Sequence, residues 1–226
     1  MEKKQITLIL GSILGLFAFL VVAYMLTSKP EVSSFPELAK ASESDHVTWA
    51  PKSDIVLMEF SDFQCPGCAA FAAAIQTLHA DEQFVKEVEP YISFVYRHFP
   101  LDDSHPNARV ASQAAEAAGL QDAFYPMHDM LFARQDEWSE QDDPMPFFIE
   151  YATALELDIE KFTQAYNSQA VKDSIAEDYQ TGIAAQVRGT PSLFLNGSVF
   201  SPPASPEEFK NALIEAIKTA PSGQNE

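Results

Sequence analysis

Apolar residues along the chain fall into runs whose spacing predicts alternating strands and helices. Residues 55–60 form an apolar run broken only by Glu59, which is typical of a buried central strand. A second run at residues 92–96 predicts another strand, and the alanine-rich stretch at 69–79 between them predicts a helix. The first half of the globular part is therefore expected to follow a strand–helix–strand order.

The block from about residue 103 to 187 carries only helical patterns. It predicts helices at 107–118, 124–132, 146–155, 159–167 and 171–187. We interpret its large aromatic residues as the core of this block: Phe124, Tyr125, Trp138, Phe147, Phe148, Phe162 and Tyr166. An all-helical insertion within the strand-containing part is therefore expected.

Strand character returns after the helical block. Residues 192–195 are largely apolar, Asn196-Gly197 is a strong short hairpin signal, and residues 199–200 supply the returning strand. The segment 205–208, Ser-Pro-Glu-Glu, has the pattern of a capping box with proline at the first helical position. The order of elements predicts an α/β fold with a helical insertion.

The first 27 residues predict a single transmembrane anchor. Residues 6–26 form a 21-residue run without a charge, and about 20 apolar residues suffice to cross a bilayer core of ~30 Å. Lys3 and Lys4 precede this run, so the positive-inside rule favours a cytoplasmic N-terminus. A cleaved signal peptide is the alternative, but its apolar region is usually only roughly 7–15 residues long.

Composition divides the rest of the chain into three parts. Residues 28–46 contain several serines and prolines and predict a flexible spacer, with a root-mean-square reach of roughly 25 Å. Residues 47–220 hold the strand and helix patterns and predict one globular domain. Residues 221–226 predict a disordered tail.

Charge and residue counts exclude several classes of function. The chain has 14 Lys and Arg against 33 Asp and Glu, a formal net charge of -19, so binding to nucleic acid is not expected. Two cysteines cannot fill a four-ligand zinc site, and the five histidines show no ligand spacing. We expect neither a metal nor a cofactor. Arg97 and His98 close the second predicted strand, where a packing or surface role is favoured.

The two cysteines form one motif, Cys65-Pro66-Gly67-Cys68, between the first predicted strand and its helix. Unpaired N–H groups and the helix dipole favour a thiolate at a helix start, and the thiolate is the species that attacks disulfides. Cys65 is expected to be exposed and to attack first, and Cys68 to be more buried and to resolve the mixed disulfide. The alternatives are an inert local disulfide or half of a metal site.

Four segments resemble the DsbA-like family of thioredoxin-fold thiol–disulfide oxidoreductases, over roughly residues 47–219. They are Phe60-Ser61-Asp62-Phe63-Gln64-Cys65-Pro66-Gly67-Cys68, Arg97-His98-Phe99-Pro100-Leu101, His105-Pro106-Asn107-Ala108 and Val187-Arg188-Gly189-Thr190-Pro191-Ser192. The resemblance implies a thioredoxin fold with a helical insertion. It also implies disulfide exchange with protein substrates.

The resemblance assigns roles to three more residues. Thr190-Pro191 matches the family's cis-proline beside the dithiol, which would present the Thr190 backbone to an extended substrate. Glu59 matches an acid beneath the second cysteine that relays its proton, although a partly exposed strand acid without a role is the alternative. Strongly oxidising members often have histidine before the second cysteine; this chain has Pro66-Gly67 there, which leaves the direction of electron flow open.

Three functions follow from these observations. The first is an enzyme that introduces disulfides into exported proteins outside the cytoplasm and is reoxidised by a membrane partner, DsbB-like or equivalent. The second is a reductase or isomerase fed by a membrane electron carrier. The third is a chaperone-like binding module with an incidental dithiol, against which the intact motif and the predicted cis-proline argue.

Overall fold

A computed structural model describes the chain at residues 13–20, 23–24, 34–203 and 205–220. Residues 13–20 and 23–24 are helical, and within the described ranges no helix combines the length and apolar character needed to span a bilayer. The remainder of the predicted anchor and the predicted tail at 221–226 lie outside the described residues. The chain divides into two units, Met1–Ser33 and Ser34–Glu226, and the second holds the fold described below.

One mixed sheet forms the centre of this unit. Its five strands are β1 (His46–Trp49), β2 (Val56–Ser61), β3 (Ser93–His98), β4 (Ser192–Leu195) and β5 (Ser198–Phe200), in the order β1-β3-β2-β4-β5. β2 and β3 are parallel, and the other neighbouring pairs are antiparallel. All six residues of β2 are buried, which confirms the predicted central strand.

Nine α-helices pack around the sheet in the part of the chain from residue 34 onward that the structure describes. They are α1 (Pro66–His79), α2 (Glu82–Glu87), α3 (Ala108–Gly119), α4 (Phe124–Ala133), α5 (Gln135–Trp138), α6 (Met145–Ala154), α7 (Ile159–Tyr166), α8 (Gln169–Ala184) and α9 (Pro206–Thr219). Helices α3 to α8 occupy the predicted insertion, which is all-helical as expected. Sequence analysis missed β1, α2 and α5, because these short elements have at most two apolar residues each and no neighbouring turn signal like that of β5.

Local sequence signals set several element ends as predicted. The Ser205 side chain accepts a hydrogen bond from the backbone N–H of Glu208 (3.3 Å) and caps α9. Asn196 and Gly197 join β4 to β5 with φ angles of 49° and 74°. Positive φ at both central residues is what a tight hairpin turn requires, and glycine adopts it without steric cost.

The core has a part on each side of the sheet and a third within the insertion. Val56, Met58 and Phe60 of β2 pack in one buried cluster, whereas Leu57 belongs to another, as the alternation of a strand requires. The third cluster contains both cysteines together with aromatic residues of the insertion: Phe124, Trp138, Phe148 and Phe162. The predicted aromatic core of the insertion is thus continuous with the dithiol.

The predicted flexible spacer at 28–46 is wrong from Ser34 onward. The side chain of Leu38 is completely buried, within a short 3-10 helix (Pro36–Leu38). The backbone N–H of Phe35 donates to the β4–β5 turn (2.6 Å). Apolar side chains bury this segment against the domain, although its serine and proline content is typical of a linker.

Arg97 fixes the end of the same segment. Its guanidinium donates two hydrogen bonds to the Asp45 carboxylate, each 2.9 Å long, and its charge also lies 3.8 Å from Asp178. Arg97 and His98 are both buried, so the packing role predicted for them is the one that the structure shows.

Candidate active site

The dithiol lies at the junction of β2 and α1. Cys65 is the N-cap residue of α1, Pro66 takes the first turn, where its missing N–H costs nothing, and Cys68 lies within that turn. Both cysteines are free thiols, and no group of three or more His, Cys, Asp or Glu side chains in the described ranges is arranged to hold a metal. Cys65 is only 8% exposed, so the expectation that it is exposed is wrong. Cys68 is fully buried, so it is the more buried of the two, as expected.

The two sulfurs have opposite acidities. The Cys68 thiol hydrogen-bonds the Cys65 sulfur and, with the backbone N–H groups of Gly67 and Cys68, lowers the pKa of Cys65 to about 5. Burial raises the pKa of Cys68, and the hydrogen bond to Cys65 and the charge of Glu59 raise it further. At neutral pH Cys65 is therefore the thiolate and Cys68 holds a proton.

The predicted cis-proline lies against this dithiol. The Thr190–Pro191 peptide bond is cis, and the Cys65 Sγ lies 3.4 Å from the Thr190 carbonyl oxygen. A Cβ atom added to Gly67 would lie 3.5 Å from the Pro191 ring and 3.6 Å from the Cys65 Sγ. Residues 125 positions apart in sequence thus form one site, as the resemblance implied.

Glu59 is a buried acid in the middle of β2, 3% exposed. Burial raises its pKa to about 8, so it holds its proton at neutral pH. When Glu59 is ionised, above this pKa, its charge raises the pKa of Cys68. The alternative of a partly exposed strand acid is wrong, and the surroundings of Glu59 suit it to exchange a proton with Cys68.

Asp62 joins three of the segments that carry the family resemblance. One carboxylate oxygen accepts from the backbone N–H of Gln64 (2.7 Å). The other accepts from the backbone N–H of Leu101 (2.8 Å) and lies 2.8 Å from the His105 Nδ1. No role was predicted for these residues, because the sequence around a loop acid does not indicate which groups it will bond.

The helical insertion also holds the active-site loop directly. The Gln64 side chain accepts from the backbone N–H of Asn107 (2.7 Å) and donates to the Ser139 carbonyl (2.7 Å). From α5, the Gln135 side chain donates to the carbonyl oxygens of Phe63 (2.7 Å) and Cys65 (3.2 Å). Nothing in the sequence around Gln135 indicated this contact, since it depends on how α5 packs.

Solved structures with the same fold include two named for disulfide exchange proteins. Alpha-DsbA1 of Wolbachia pipientis superposes with a TM-score of 0.68 at 19% identity, over 81% of this chain and 96% of that one. BdbD of Bacillus subtilis, in its oxidised form, gives a TM-score of 0.67 at 19% identity, over 80% of this chain and 96% of that one. At these identities the likeness establishes the fold.

Curated relatives carry a different kind of name. The Na(+)/H(+) antiporter NhaA 3 of Salinispora tropica is 34% identical over 178 residues, which are 79% of this chain and 26% of that protein. The chain thus spans about a quarter of the length of such relatives. A family model described as thioredoxin matches residues 41–215, which include the dithiol, the cis-proline and the whole insertion. The chain therefore belongs to the thioredoxin family and has the fold of its DsbA-like members.

Proposed function

We propose that the protein is a thiol–disulfide oxidoreductase that exchanges disulfides with other proteins through Cys65 and Cys68. The observation that carries the proposal is the Cys65 sulfur, a thiolate at neutral pH at the start of α1, beside the Thr190 carbonyl. Cys65 is the only one of the two cysteines with any exposed area. An extended substrate pairing with the backbone at Thr190 would place its own sulfur at Cys65.

The chemistry is a pair of sulfur displacements. In the oxidising direction a substrate thiolate attacks Cys65 of the Cys65–Cys68 disulfide, and Cys68 leaves as a thiolate that takes a proton from Glu59. A second substrate thiolate then displaces Cys65, leaving a substrate disulfide and the reduced dithiol. In the reducing direction the Cys65 thiolate attacks a substrate disulfide, and Cys68 gives up its proton and resolves the mixed disulfide.

The lowered pKa of Cys65 favours the oxidising direction. A Cys65 thiol with a pKa of about 5 is ionised at pH 7, and this ionisation stabilises the reduced dithiol relative to the disulfide. Stabilising the reduced form raises the reduction potential, in the direction away from thioredoxin at about -270 mV and towards DsbA at about -120 mV. A DsbB-like or equivalent membrane partner would then restore the disulfide. A reductase or isomerase is the second candidate.

We further propose that the enzyme acts on exported proteins from the outer face of the cell membrane. The support is the uncharged run at residues 6–26, preceded by Lys3 and Lys4, which suits a single-pass anchor with a cytoplasmic N-terminus. The domain would then lie in the periplasm or outside the cell, where disulfides persist.

Substrate trapping tests the proposed exchange. The Cys68→Ser variant, expressed in cells, should accumulate mixed disulfides on Cys65, because the resolving sulfur is missing. Cys65→Ser is the matched control and should trap nothing. If neither variant traps proteins and Cys65→Ser retains full activity in cells, the chain is a binding module and the proposal fails.

The reduction potential decides between the two directions. We expect equilibration in glutathione buffers to give a value well above that of thioredoxin, with fast oxidation of a reduced peptide and slow reduction of insulin. A potential at or below about -270 mV would instead assign the protein as a reductase.

A further inference from the structure

Two buried histidine nitrogens near the active site have no hydrogen-bond partner within the described residues. They are His98 Nδ1 and His128 Nε2, and their rings lie 5.9 Å and 5.7 Å from the ring of Phe63, two residues before Cys65. The Tyr96 ring lies 5.3 Å from the ring of His98 and 5.0 Å from that of His128. Since most buried polar side-chain atoms in native proteins are paired, such a group beside a redox centre indicates a function.

A cavity of about 80 Å³ connects one of these groups to the buried acid. Glu59 and His128 both line it, together with Gln76, Tyr125 and Asp129. A polar cavity needs only about 10–15 Å³ to admit a water molecule, so this one has room for more than one. Water could therefore link the Glu59 carboxyl to the His128 ring.

The hydrogen bonding of His128 suits it to pass a proton on. Its Nδ1 lies 2.9 Å from a carboxylate oxygen of Asp129, a side chain that is 47% exposed. With Nδ1 donating to Asp129, Nε2 is left as an acceptor, and it is the buried nitrogen without a partner. Burial lowers the pKa of His128, so the ring is neutral at pH 7 and free to accept a proton.

We propose that His128, held by Asp129, carries protons between solvent and Glu59 through this cavity, and so supplies or removes the proton of Cys68. The inference rests on the proposed function of the dithiol. His128 touches neither sulfur, so it acts through Glu59 and is not a catalytic residue itself.

Each transfer in the relay balances. When Cys68 leaves as a thiolate, Glu59 gives it a proton and becomes a carboxylate. In the tautomer that carries its proton on Nε2, His128 takes a second proton from solvent at Nδ1, beside Asp129. It then gives the Nε2 proton to Glu59 through cavity water and is left neutral, with Nδ1 donating to Asp129. The same steps run backwards when Cys68 must lose its proton.

The helix α6 also packs on α4 and contributes Glu150, which pairs with Arg134 at 2.8 Å. Other titratable groups around this route lie on α1, β1, β3, α3 and α4 itself. They are Cys68 and His79 on α1, Tyr96 and His98 on β3, His46 on β1, Glu116 on α3 and Tyr125 on α4 itself. His46 and His98 are bonded to Glu116, at 3.2 Å and 3.0 Å, and His79 to Glu89 at 2.6 Å. His98 also has a buried nitrogen without a partner among the described residues, Nδ1, but it is not among the residues that line the cavity with Glu59, whereas His128 is.

The test is the single-turnover reaction of the oxidised protein with a reduced peptide, followed by acid quench from pH 5 to 9. His128→Phe keeps the aromatic contacts to Phe63, Tyr96 and Phe132 but removes the titrating ring. We expect the step that protonates Cys68 to slow by about tenfold and its solvent isotope effect to rise, short of the ~100-fold given by direct acid–base catalysts. Alkylation of Cys65 should keep the wild-type rate.

Two further variants make the result specific. His79→Phe changes a histidine that lines the same cavity but is bonded to Glu89, and it should react like wild type. In a Glu59→Gln background, His128→Phe should cause no additional slowing. Asp129→Asn should slow the same step by a smaller factor, which gives a second reading if His128→Phe folds poorly.

Some outcomes would overturn the relay. A wild-type rate and pH profile in His128→Phe, equal slowing by His79→Phe, or additive slowing with Glu59→Gln would each do so while leaving disulfide exchange intact. Failure of the wild-type protein to react with the peptide at all would instead reject the proposed function.

Discussion

Glu59 shows how burial alone changes the acidity of a common side chain. It lies at the centre of β2, and its carboxyl has a pKa of about 8 because burial disfavours the charged form. Glu59 therefore lowers the free energy of unfolding at neutral pH, because the folded protein keeps a proton on a carboxyl that is ionised in the unfolded chain. Such a cost is typical of a site kept for its chemistry.

Replacing Glu59 by glutamine should stabilise the reduced protein. A carboxyl whose pKa is raised on folding does not lower stability below its ordinary pKa, because it is protonated in both the folded and the unfolded chain. As the pH rises towards 8, the unfolded chain loses this proton first, and the free energy of unfolding falls. The gain in the free energy of unfolding of Glu59→Gln over wild type should thus grow from near zero at pH 4 to roughly 3 kcal/mol at pH 7. Urea unfolding at several pH values measures it.

The exposed Glu82→Gln is the control for this series. It should stay within about 0.5 kcal/mol of wild type at every pH. Parallel pH profiles for wild type and Glu59→Gln would contradict the assignment of a buried, protonated carboxyl.

At the scale of elements, the start of α1 sets the reactivity of the dithiol. Cys65 caps the helix, so the free N–H groups of the first turn point towards its sulfur, and no side-chain cation lies between the cysteines. The thiolate is thus stabilised by hydrogen bonds and not by a neighbouring charge. Gly67 has room for a side chain, because a Cβ atom added to it would make only ordinary contacts of 3.5 to 3.7 Å.

Placing a histidine at this position should make the protein more oxidising. A protonated ring beside Cys65 favours the thiolate, so Gly67→His should lower the pKa of Cys65 by roughly one unit and raise the reduction potential by about 30 mV. Gly67→Ala, which adds the Cβ without charge, should leave both near wild type. Equilibration in glutathione buffers measures the reduction potential, and the pH dependence of alkylation measures the pKa of Cys65. Equal shifts in Gly67→His and Gly67→Ala would exclude a charge effect.

At the scale of the whole molecule, the active site lies where two separately recognisable parts meet. Cys65 and Cys68 share one buried cluster with Trp138 and Phe148 of the insertion, while β2 belongs to the clusters on the sheet. Gln64 and Gln135 add hydrogen bonds across the same junction. The insertion is therefore part of the site and supports the loop that carries Cys65.

The segment before β1 contributes to the stability of this whole unit. Leu38 is fully buried and packs with Val56, Phe60 and Phe194 in one cluster, so Leu38→Ala should lower the free energy of unfolding by roughly 2–5 kcal/mol. Urea midpoints measure the loss, and Val199→Ala, at a side chain that is 49% exposed, should change little. A loss below about 0.5 kcal/mol for Leu38→Ala would mean that the segment is not anchored as described.

The sequence by itself determined the order of elements and the position of the dithiol. The apolar run of β2, the hairpin at Asn196-Gly197 and the capping box at Ser205 depend on neighbours within a few residues, so their signals are local. The position of Cys65 at a helix start follows from the same local pattern. These features were predicted correctly because short-range sterics and hydrogen bonding fix them.

Only the tertiary structure decided how far each group is from water and what it touches. The small exposure of Cys65, the pKa of Glu59, the partners of Asp62 and the cavity at His128 all arise from residues distant in sequence. The packing of residues 34–45 against the domain through the buried Leu38 is of the same kind, because their composition is that of a linker. Desolvation and long-range contacts depend on the packed arrangement, which no local pattern encodes.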